Sequence, residues 1–210
     1  MTPPFAHLRP VCSPQAGFWP GIGDSQRPEM SKGLRAPSRV RHHAFVDNQV
    51  TVAVAQYALY VVAAAAAVVW LMAPRSDKVG LAIEAVVAMV LVAVMVKAAG
   101  AIHADPRPFV ATPAVKPLFP HPADNGFPSD HTALATAISV VVWQYRRGVA
   151  SAMVVLSILI GVARVAAHVH HTQDIVAALI IGLVAATLAL VLWRQGVKPR
   201  LTGSLRRVTG

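Results

Sequence analysis

Three short polar segments of this 210-residue chain contain the residue types that phosphate chemistry requires. They read ADPRPF at 104–109, FPSDH at 127–131 and ARVAAHVHHTQD at 163–174. Arginine offers a planar fork that matches phosphate oxygens, and it stays charged at any working pH. Histidine can act as a nucleophile or as a general acid near neutrality. These three segments therefore form the candidate site.

The spacing within the third segment indicates an oriented nucleophile. His170 and Asp174 are four residues apart, at the entry to the last apolar run. A carboxylate at that spacing can hold one ring nitrogen of the histidine and leave the other free to attack phosphorus. His131, in the second segment, then remains as the proton donor to the leaving oxygen.

Positive charge and a helix start complete the predicted site. Arg107 and Arg164 supply two guanidinium groups. Pro128 and Ser129 open a helix whose free N–H groups suit an anion. An anion cradle, a nucleophile and a general acid together make a phosphoryl-transfer site, and we expect it to need no metal and no other cofactor.

The elements that must position these segments are apolar runs. Hydrophobic residues make up 55% of the chain and charged residues 13%, whereas charged residues are about 25% of a typical soluble domain. Helices of about 20 apolar residues cross a bilayer. The apolar runs cover residues 50–72, 79–102, 132–145, 148–167 and 175–193. We expect an all-α membrane protein, a bundle of about five transmembrane helices with a polar active-site loop at the extracytoplasmic end.

The runs divide the chain into three regions. Residues 1–47 form a basic, Pro-rich tail, residues 48–195 the transmembrane domain that holds the candidate site, and residues 196–210 a basic C-terminal tail. Within the domain, the segment 103–131 contains seven prolines and cannot be one helix. Met30 is an alternative start, which leaves the placement of the N-terminal tail open.

The distribution of charge indicates partners and orientation. The 19 Lys+Arg against 9 Asp+Glu lie mainly in tails and short loops, without the aromatic interleaving of a nucleic-acid surface. We therefore expect a lipid bilayer as a partner and no nucleic acid. The basic loops 73–78 and 146–147 and the C-terminal tail share one side, which the positive-inside rule makes cytoplasmic. The candidate site then faces outward. The same topology also places the basic N-terminal tail outside, which conflicts with the positive-inside rule. Nothing indicates an oligomeric state.

At these residues the chain resembles the type 2 phosphatidic acid phosphatase superfamily, which also includes vanadium haloperoxidases and bacterial acid phosphatases. The family pattern is Lys, six residues and Arg-Pro, then Pro-Ser-Gly-His, then Ser-Arg, five residues, His, three residues and Asp. The resemblance covers roughly residues 50–195. The residues that keep these spacings are Arg107, Pro108, Pro128, Ser129, His131, Arg164, His170 and Asp174.

The resemblance implies a role for each matching residue. His170 would attack phosphorus and form a phosphohistidine, oriented by Asp174, while His131 would protonate the leaving group. Arg107, Arg164 and the main chain at Ser129 would bind the phosphate. The sequence looks most like the bacitracin-resistance branch, the undecaprenyl-diphosphate phosphatases. That implies metal-independent hydrolysis of undecaprenyl diphosphate to undecaprenyl phosphate at the outer face of the bacterial cytoplasmic membrane.

Three positions depart from the family pattern. Asp130 replaces the Gly before the histidine, and Ala163 replaces the Ser before the arginine. Gly100 occupies the position of the expected Lys, and Lys97 lies three residues earlier. Because three residues are about 60° short of a full helical turn, Lys97 is a tentative phosphate ligand.

Other interpretations stay open at this stage. The substrate could be phosphatidate, phosphatidylglycerol phosphate or another polyprenyl phosphate. A membrane transporter could use a His/Arg/Asp relay, although it would need those residues near the midplane. The HVHH run at 168–171 could bind a metal. Glu84 is interpreted as a paired or snorkelling residue, and His103 and His121 as surface histidines. The residues read as an interfacial belt on the cytoplasmic side are Trp70, Trp143, Tyr145 and Trp193.

Overall fold

The structure, a computed structural model, describes residues 38–197, with side chains at residues 48–196. Within that range the chain is helical and forms no strand. The outer parts of both predicted tails, residues 1–37 and 198–210, lie outside the described residues.

The helices follow the apolar runs closely. Their bounds are α1 (Ser38–Met72), α2 (Arg75–Ile102), α3 (Pro108–Ala111), α4 (Asp130–Trp143), α5 (Arg147–Ala166) and α6 (Thr172–Val191). A π-helical turn, Leu192–Val197, continues α6. α1 begins ten residues before the predicted domain boundary at 48. No Pro or Gly interrupts residues 38–72, so the helix extends beyond its apolar part.

Among the described residues, four helical segments have the length and composition of membrane spans. They are Asn48–Met72, Arg75–Ile102, Arg147–Ala166 and Thr172–Gly196. The predicted all-α membrane bundle is thereby confirmed. The predicted third span corresponds to α4, which has 14 residues and a length of about 21 Å at 1.5 Å per residue. It is shorter than the roughly 30 Å hydrocarbon core, so four spans rather than five meet the length requirement.

α4 lies in the middle of the bundle, where it packs against α1, α2, α5 and α6. Small residues such as Ala133 and Ala137 are completely buried on it. The approach of α6 is close because Gly182 has no side chain: a Cβ there would come 2.5 Å from the Ala133 carbonyl oxygen and 2.7 Å from Thr136 Cβ. This contact sets the distance between two helices that both begin at the candidate site.

A second polar group lies at the opposite end of the bundle. The Glu84 carboxylate, 1% exposed, accepts a 2.8 Å hydrogen bond from the Tyr145 hydroxyl, and Arg194 Nε lies 3.8 Å from it. Glu84 is therefore paired, as one of its two interpretations had it. Trp193 is buried against Gly80, which is a correction to the predicted belt: the absence of a side chain at Gly80 admits the indole into the bundle.

Candidate active site

The three predicted segments meet at one end of the bundle, around a cavity of about 400 Å³. Main-chain hydrogen bonds hold them together there: the Ser129 N–H donates to the Asp174 carbonyl, and the N–H of Gly126, just before the second segment, donates to the Asp105 carbonyl. The basic residues that line the cavity are Lys97, Arg107, His121, His131, Arg164 and His170. Positive and titratable side chains thus converge on one space.

The His170 ring is buried and held in one orientation. Its ring is 3% exposed, and Nδ1 lies 3.2 Å from Asp174 Oδ2. The same carboxylate oxygen accepts the His171 main-chain N–H at 2.8 Å, because Asp174 is the third residue of α6 and its side chain folds back over the helix start. With Nδ1–H donating to Asp174, the Nε2 atom carries the lone pair that faces the cavity. Burial, and after it Arg164 and Arg107, lower the pKa of His170, so its ring is neutral at pH 7.

A sharp turn after α5 presents His170 to the cavity. His168 adopts a φ of 60°, in the left-handed region that L-residues rarely use. Its main-chain N–H closes on the Val165 carbonyl, and its ring Nδ1 lies 3.3 Å from the Lys116 carbonyl. The turn ends one helix and begins the next within five residues, which places Arg164 and His170 on the same side.

Arg107 is buried between Asp124 of the loop and His170. It is 5% exposed, and Nη1 donates to the Val169 carbonyl at 2.7 Å and lies 3.3 Å from His170 Nε2. Its Nε donates to Asp124 Oδ1 at 2.7 Å. The guanidinium therefore lies beside His170 Nε2, at the edge of the cavity.

Arg164 points into the bundle end and not outward to a lipid interface. It is 3% exposed; Nη1 donates to the Ala55 carbonyl at 3.0 Å, and Nη2 lies 3.1 Å from His121 Nε2. Its Nε is buried without an acceptor among the described residues. A buried donor of this kind is costly, and a phosphate oxygen in the cavity is the kind of acceptor that it lacks.

His131 and Ser129 occupy different positions at the start of α4. His131 lines the cavity, and burial, with added repulsion from Arg164, lowers its pKa to about 4. Ser129 is fully buried: its N–H is engaged by Asp174, and its hydroxyl lies 3.2 Å from Thr132 Oγ1. The N–H groups available at this helix start are instead those of Asp130 and His131, which have no partner within the helix.

Lys97 also lines the cavity, from the exposed side of α2. Gly100, where the family pattern has lysine, also borders the cavity. A Cβ at position 100 would come 3.0 Å from the Phe127 carbonyl oxygen. The close approach of the loop to α2 explains the glycine, and Lys97, one turn earlier, brings an ammonium group to the same side.

The loop between α3 and α4 contributes residues that spacing alone does not reveal. His121, interpreted from the sequence as a surface histidine, instead bonds Arg164, and its ring centroid lies 6.3 Å from that of His170. Burial, and then Arg107, lower its pKa. Asp124 pairs with Arg107. An irregular loop has no periodicity from which the direction of a side chain could be predicted.

Asn125 fastens this loop to the rest of the site. Its Oδ1 accepts the main-chain N–H groups of Asp105 and Phe127, at 2.9 and 3.0 Å. Its Nδ2 donates to the carbonyls of Gly100 and His103, at 3.0 and 3.1 Å. All four hydrogen-bonding positions of the amide are used. The end of α2, the Arg107 segment and the approach to His131 are thus tied to one side chain.

A group of metal-ligating type lies behind His170. Asp105, His171 and Asp174 each place one ligand atom within 4.8 Å of the others. These side chains already bond one another and their neighbours: Asp105 Oδ2 accepts from Gln173 Nε2 at 2.6 Å and lies 3.0 Å from His171 Nδ1. Of the HVHH run, only His171 belongs to this group, whereas His170 faces the cavity.

Comparison with known proteins agrees with this geometry. Residues 81–198 match the family model described as the PAP2 superfamily. The chain belongs to the PAP2 superfamily. The resemblance of its motifs to that superfamily is thereby confirmed, and the chain is a multi-pass membrane phosphatase, a hydrolase that acts on phosphate esters.

Two curated relatives are similar over most of their length. The "Bacitracin transport permease protein BcrC" of Bacillus licheniformis is 31% identical over 139 residues, which are 66% of this chain and 68% of that protein. The "Undecaprenyl-diphosphatase BcrC" of Bacillus subtilis is 29% identical over 162 residues, 72% of this chain and 77% of that protein.

Two solved structures share the fold. The LpxE protein of Aquifex aeolicus superposes with a TM-score of 0.58 at 24% identity, over 69% of this chain and 86% of that one. A transmembrane PAP2-type phosphatidylglycerolphosphate phosphatase from Bacillus subtilis superposes with a TM-score of 0.51 at 18% identity, over 72% of this chain and 78% of that one.

Proposed function

We propose that this phosphatase hydrolyses undecaprenyl diphosphate to undecaprenyl phosphate through a phosphohistidine. The name of the Bacillus subtilis relative, an undecaprenyl-diphosphatase at 29% identity, supports the choice of substrate. The observation that carries the chemistry is the placement of His170 Nε2 beside Arg107 Nη1, at 3.3 Å, in a cavity that Arg164 and His131 also line.

In the first step, the His170 Nε2 lone pair attacks the terminal phosphorus. The phosphorus–nitrogen bond forms as the bond to the bridging oxygen breaks, and lipid monophosphate leaves with a proton from His131. Positive charge developing on the imidazole is stabilised by Asp174 through the 3.2 Å contact at Nδ1. Arg107, Arg164 and the N–H groups at the start of α4 bind the phosphoryl oxygens.

In the second step, a water molecule replaces the histidine. His131, now neutral, takes a proton from the water as its oxygen attacks phosphorus, and the phosphorus–nitrogen bond breaks. Orthophosphate forms, and His170 and His131 return to their starting states. The tentative ligand Lys97, at the rim of the cavity, adds positive charge for the diphosphate.

Because the pKa of His131 is low without substrate, the proton that His131 gives to the leaving group must be taken up when substrate binds. At a pKa of about 4, the ring is neutral at pH 7. The lowering comes first from burial and then from Arg164, so a phosphate anion that offsets this positive charge raises the pKa again. The proton needed for the leaving group therefore enters together with the substrate.

We place the cavity on the extracytoplasmic side of the bacterial cytoplasmic membrane. The support is the basic composition of the loops and the tail at the other end of the spans. A cysteine at Ala123, exposed in the active-site loop, in a Cys12→Ser background, should react in intact cells with a maleimide that cannot cross membranes. Labelling only after lysis would reverse the orientation.

The decisive experiment assays purified protein with a panel of lipid phosphates: undecaprenyl diphosphate, undecaprenyl phosphate, phosphatidylglycerol phosphate and phosphatidate. Phosphate release from the polyprenyl diphosphate should exceed release from the others, with and without EDTA. Rapid quenching at alkaline pH, followed by mass spectrometry, should find phosphate on His170. Equal rates on phosphatidate would discard the substrate, and a reaction abolished by EDTA would discard the metal-independent mechanism.

A matched pair of histidines tests the nucleophile. His170→Ala should abolish phosphate release, whereas His168→Ala, two residues away and facing Lys116, should keep most of it. Protein reconstituted in vesicles that moves a lipid phosphate across the bilayer without releasing phosphate would instead favour the transporter interpretation.

A further inference from the structure

Asp124 lies in the cavity in a position that a phosphate-binding site does not require. Its carboxylate lines the cavity together with Arg107, Arg164 and Lys97. A negative charge here repels a phosphate anion. Its position thus opposes the binding that the neighbouring residues favour.

The partner of Asp124 is the phosphate-binding arginine itself. Asp124 Oδ1 accepts a hydrogen bond from Arg107 Nε at 2.7 Å, a short distance typical of a charged pair. Burial alone would raise its pKa, but the hydrogen bond from Arg107 outweighs this and holds the pKa below its ordinary value. The carboxylate is therefore ionised wherever the enzyme works.

The two partners differ in burial. The Arg107 side chain is 7% exposed and is fixed by Val169. The Asp124 side chain is 61% exposed and sits on the irregular loop. Asp124 is therefore the partner that can withdraw into solvent, provided that a phosphoryl oxygen takes its place on the buried Arg107 and keeps that charge compensated.

We propose that Asp124 is an internal competitor of phosphate: its carboxylate occupies Arg107 in the empty site, yields Arg107 Nε to a phosphoryl oxygen, and reclaims it as orthophosphate leaves. This inference rests on the proposed function of the site. It assigns to Asp124 a role in product release that neither the motifs nor the comparisons supply.

The chain offers a control of equal charge. Asp130 also lines the cavity and is exposed, but it forms no ion pair among the described residues. Asp124→Asn and Asp130→Asn each remove one negative charge from the same cavity. Only the first removes the competitor of Arg107, so the difference between them separates competition from general electrostatics.

The experiment measures the inhibition constant of orthophosphate against release of phosphate from undecaprenyl diphosphate in detergent. Because the Asp124 side of the ion pair is exposed to solvent, the pair is weakened by screening, and Asp124→Asn should lower the inhibition constant only about two- to five-fold. We expect kcat/KM not to be reduced. Asp130→Asn should lower the inhibition constant less. Asp124→Ser provides a second variant without an amide and should behave like Asp124→Asn.

Two results would overturn the competitor role. One is an unchanged orthophosphate constant in both Asp124 variants; the other is weaker orthophosphate binding together with a reduced kcat/KM, which would mean that Asp124 serves to position Arg107. Wild-type protein that neither releases phosphate nor is stabilised by orthophosphate in a melting experiment would remove the proposed function, and the inference with it. A wild type that binds orthophosphate while the variants match it removes the inference alone.

Discussion

Both ends of the bundle contain buried charged side chains, but the partners of these side chains differ between the two ends. At one end the Glu84 carboxylate accepts a hydrogen bond from Tyr145 and forms an ion pair with Arg194. At the other, Arg164 keeps a buried Nε for which the described part of the chain offers no acceptor, beside a cavity of about 400 Å³. Charge that is matched within the protein ties helices together. Charge left in excess around an empty space indicates a ligand of the opposite sign, and here that sign is negative.

The strongest test of this contrast replaces one arginine at each end. Arg164→Lys keeps the charge but loses Nε and the fork, so we expect kcat to fall about 10²- to 10³-fold, the usual cost of a transition-state donor. Arg194→Lys, at the other end, should change kcat less than two-fold. Rates of phosphate release per folded molecule check both. If Arg164→Lys lowered kcat only slightly, the positive charge alone, without the guanidinium geometry, would be enough for catalysis.

Substituting one carboxylate at each end of the bundle should separate effects on stability from effects on catalysis. Glu84→Ala leaves the Tyr145 hydroxyl without its acceptor, and should cost about 1–3 kcal/mol of stability while phosphate release per folded molecule is kept. Asp174→Asn should lower kcat at least 10²-fold, because Nδ1–H of His170 loses its charged acceptor. Melting curves in detergent measure the stability of each variant, and rates of phosphate release per folded molecule measure its catalysis. Loss of catalysis in Glu84→Ala would contradict the division between the two ends.

A smaller effect is expected where the loop is fastened. Asn125→Asp keeps the shape of the side chain but removes both Nδ2 donors, to Gly100 and His103. We expect kcat/KM to fall about ten-fold as the Arg107 segment loosens. Asn48→Asp, an exposed change on α1, serves as the control. If Asn125→Asp retained full activity, the loop would be held by other contacts.

The smallest predicted effect is on stability against pH. His121, His131 and His170 have pKa values below the ordinary 6.5, so the unfolded chain binds these protons more readily than the folded one. Stability is therefore fully present above pH 6.5 and declines as pH falls from there toward the folded value, about 4 for His131. We expect a melting temperature about 2–4 °C lower at pH 5.5 than at pH 7.5.

Orthophosphate sharpens that measurement. Because it offsets the positive charge of the arginines, it should stabilise the protein more at pH 5.5 than at pH 7.5. His131→Asn should reduce the dependence of the melting temperature on pH. A dependence of the opposite sign would mean that the histidines gain protons on folding.

The sequence predicted the elements and much of the site because both follow regular spacing. The length of the apolar runs locates the spans, and the four-residue interval from His170 to Asp174 fixes their contact once α6 begins. Arg107, Arg164 and His131 join them at the cavity. What could not be predicted depends on irregular backbone: the direction of Ser129 N–H, the inward turn of His121, and Asp124 on Arg107 all result from a loop without a period.

Gly182 connects this chemistry with a distant point in the bundle. It lies two turns of α6 below Asp174, where the missing side chain lets α4 approach. His131 lies in the first turn of α4 and His170 just before α6. The close packing of α4 against α6 at Gly182 therefore helps to set the distance between the two histidines. A single methyl group at Gly182 would move the two histidines apart and reduce turnover, although Gly182 does not line the cavity.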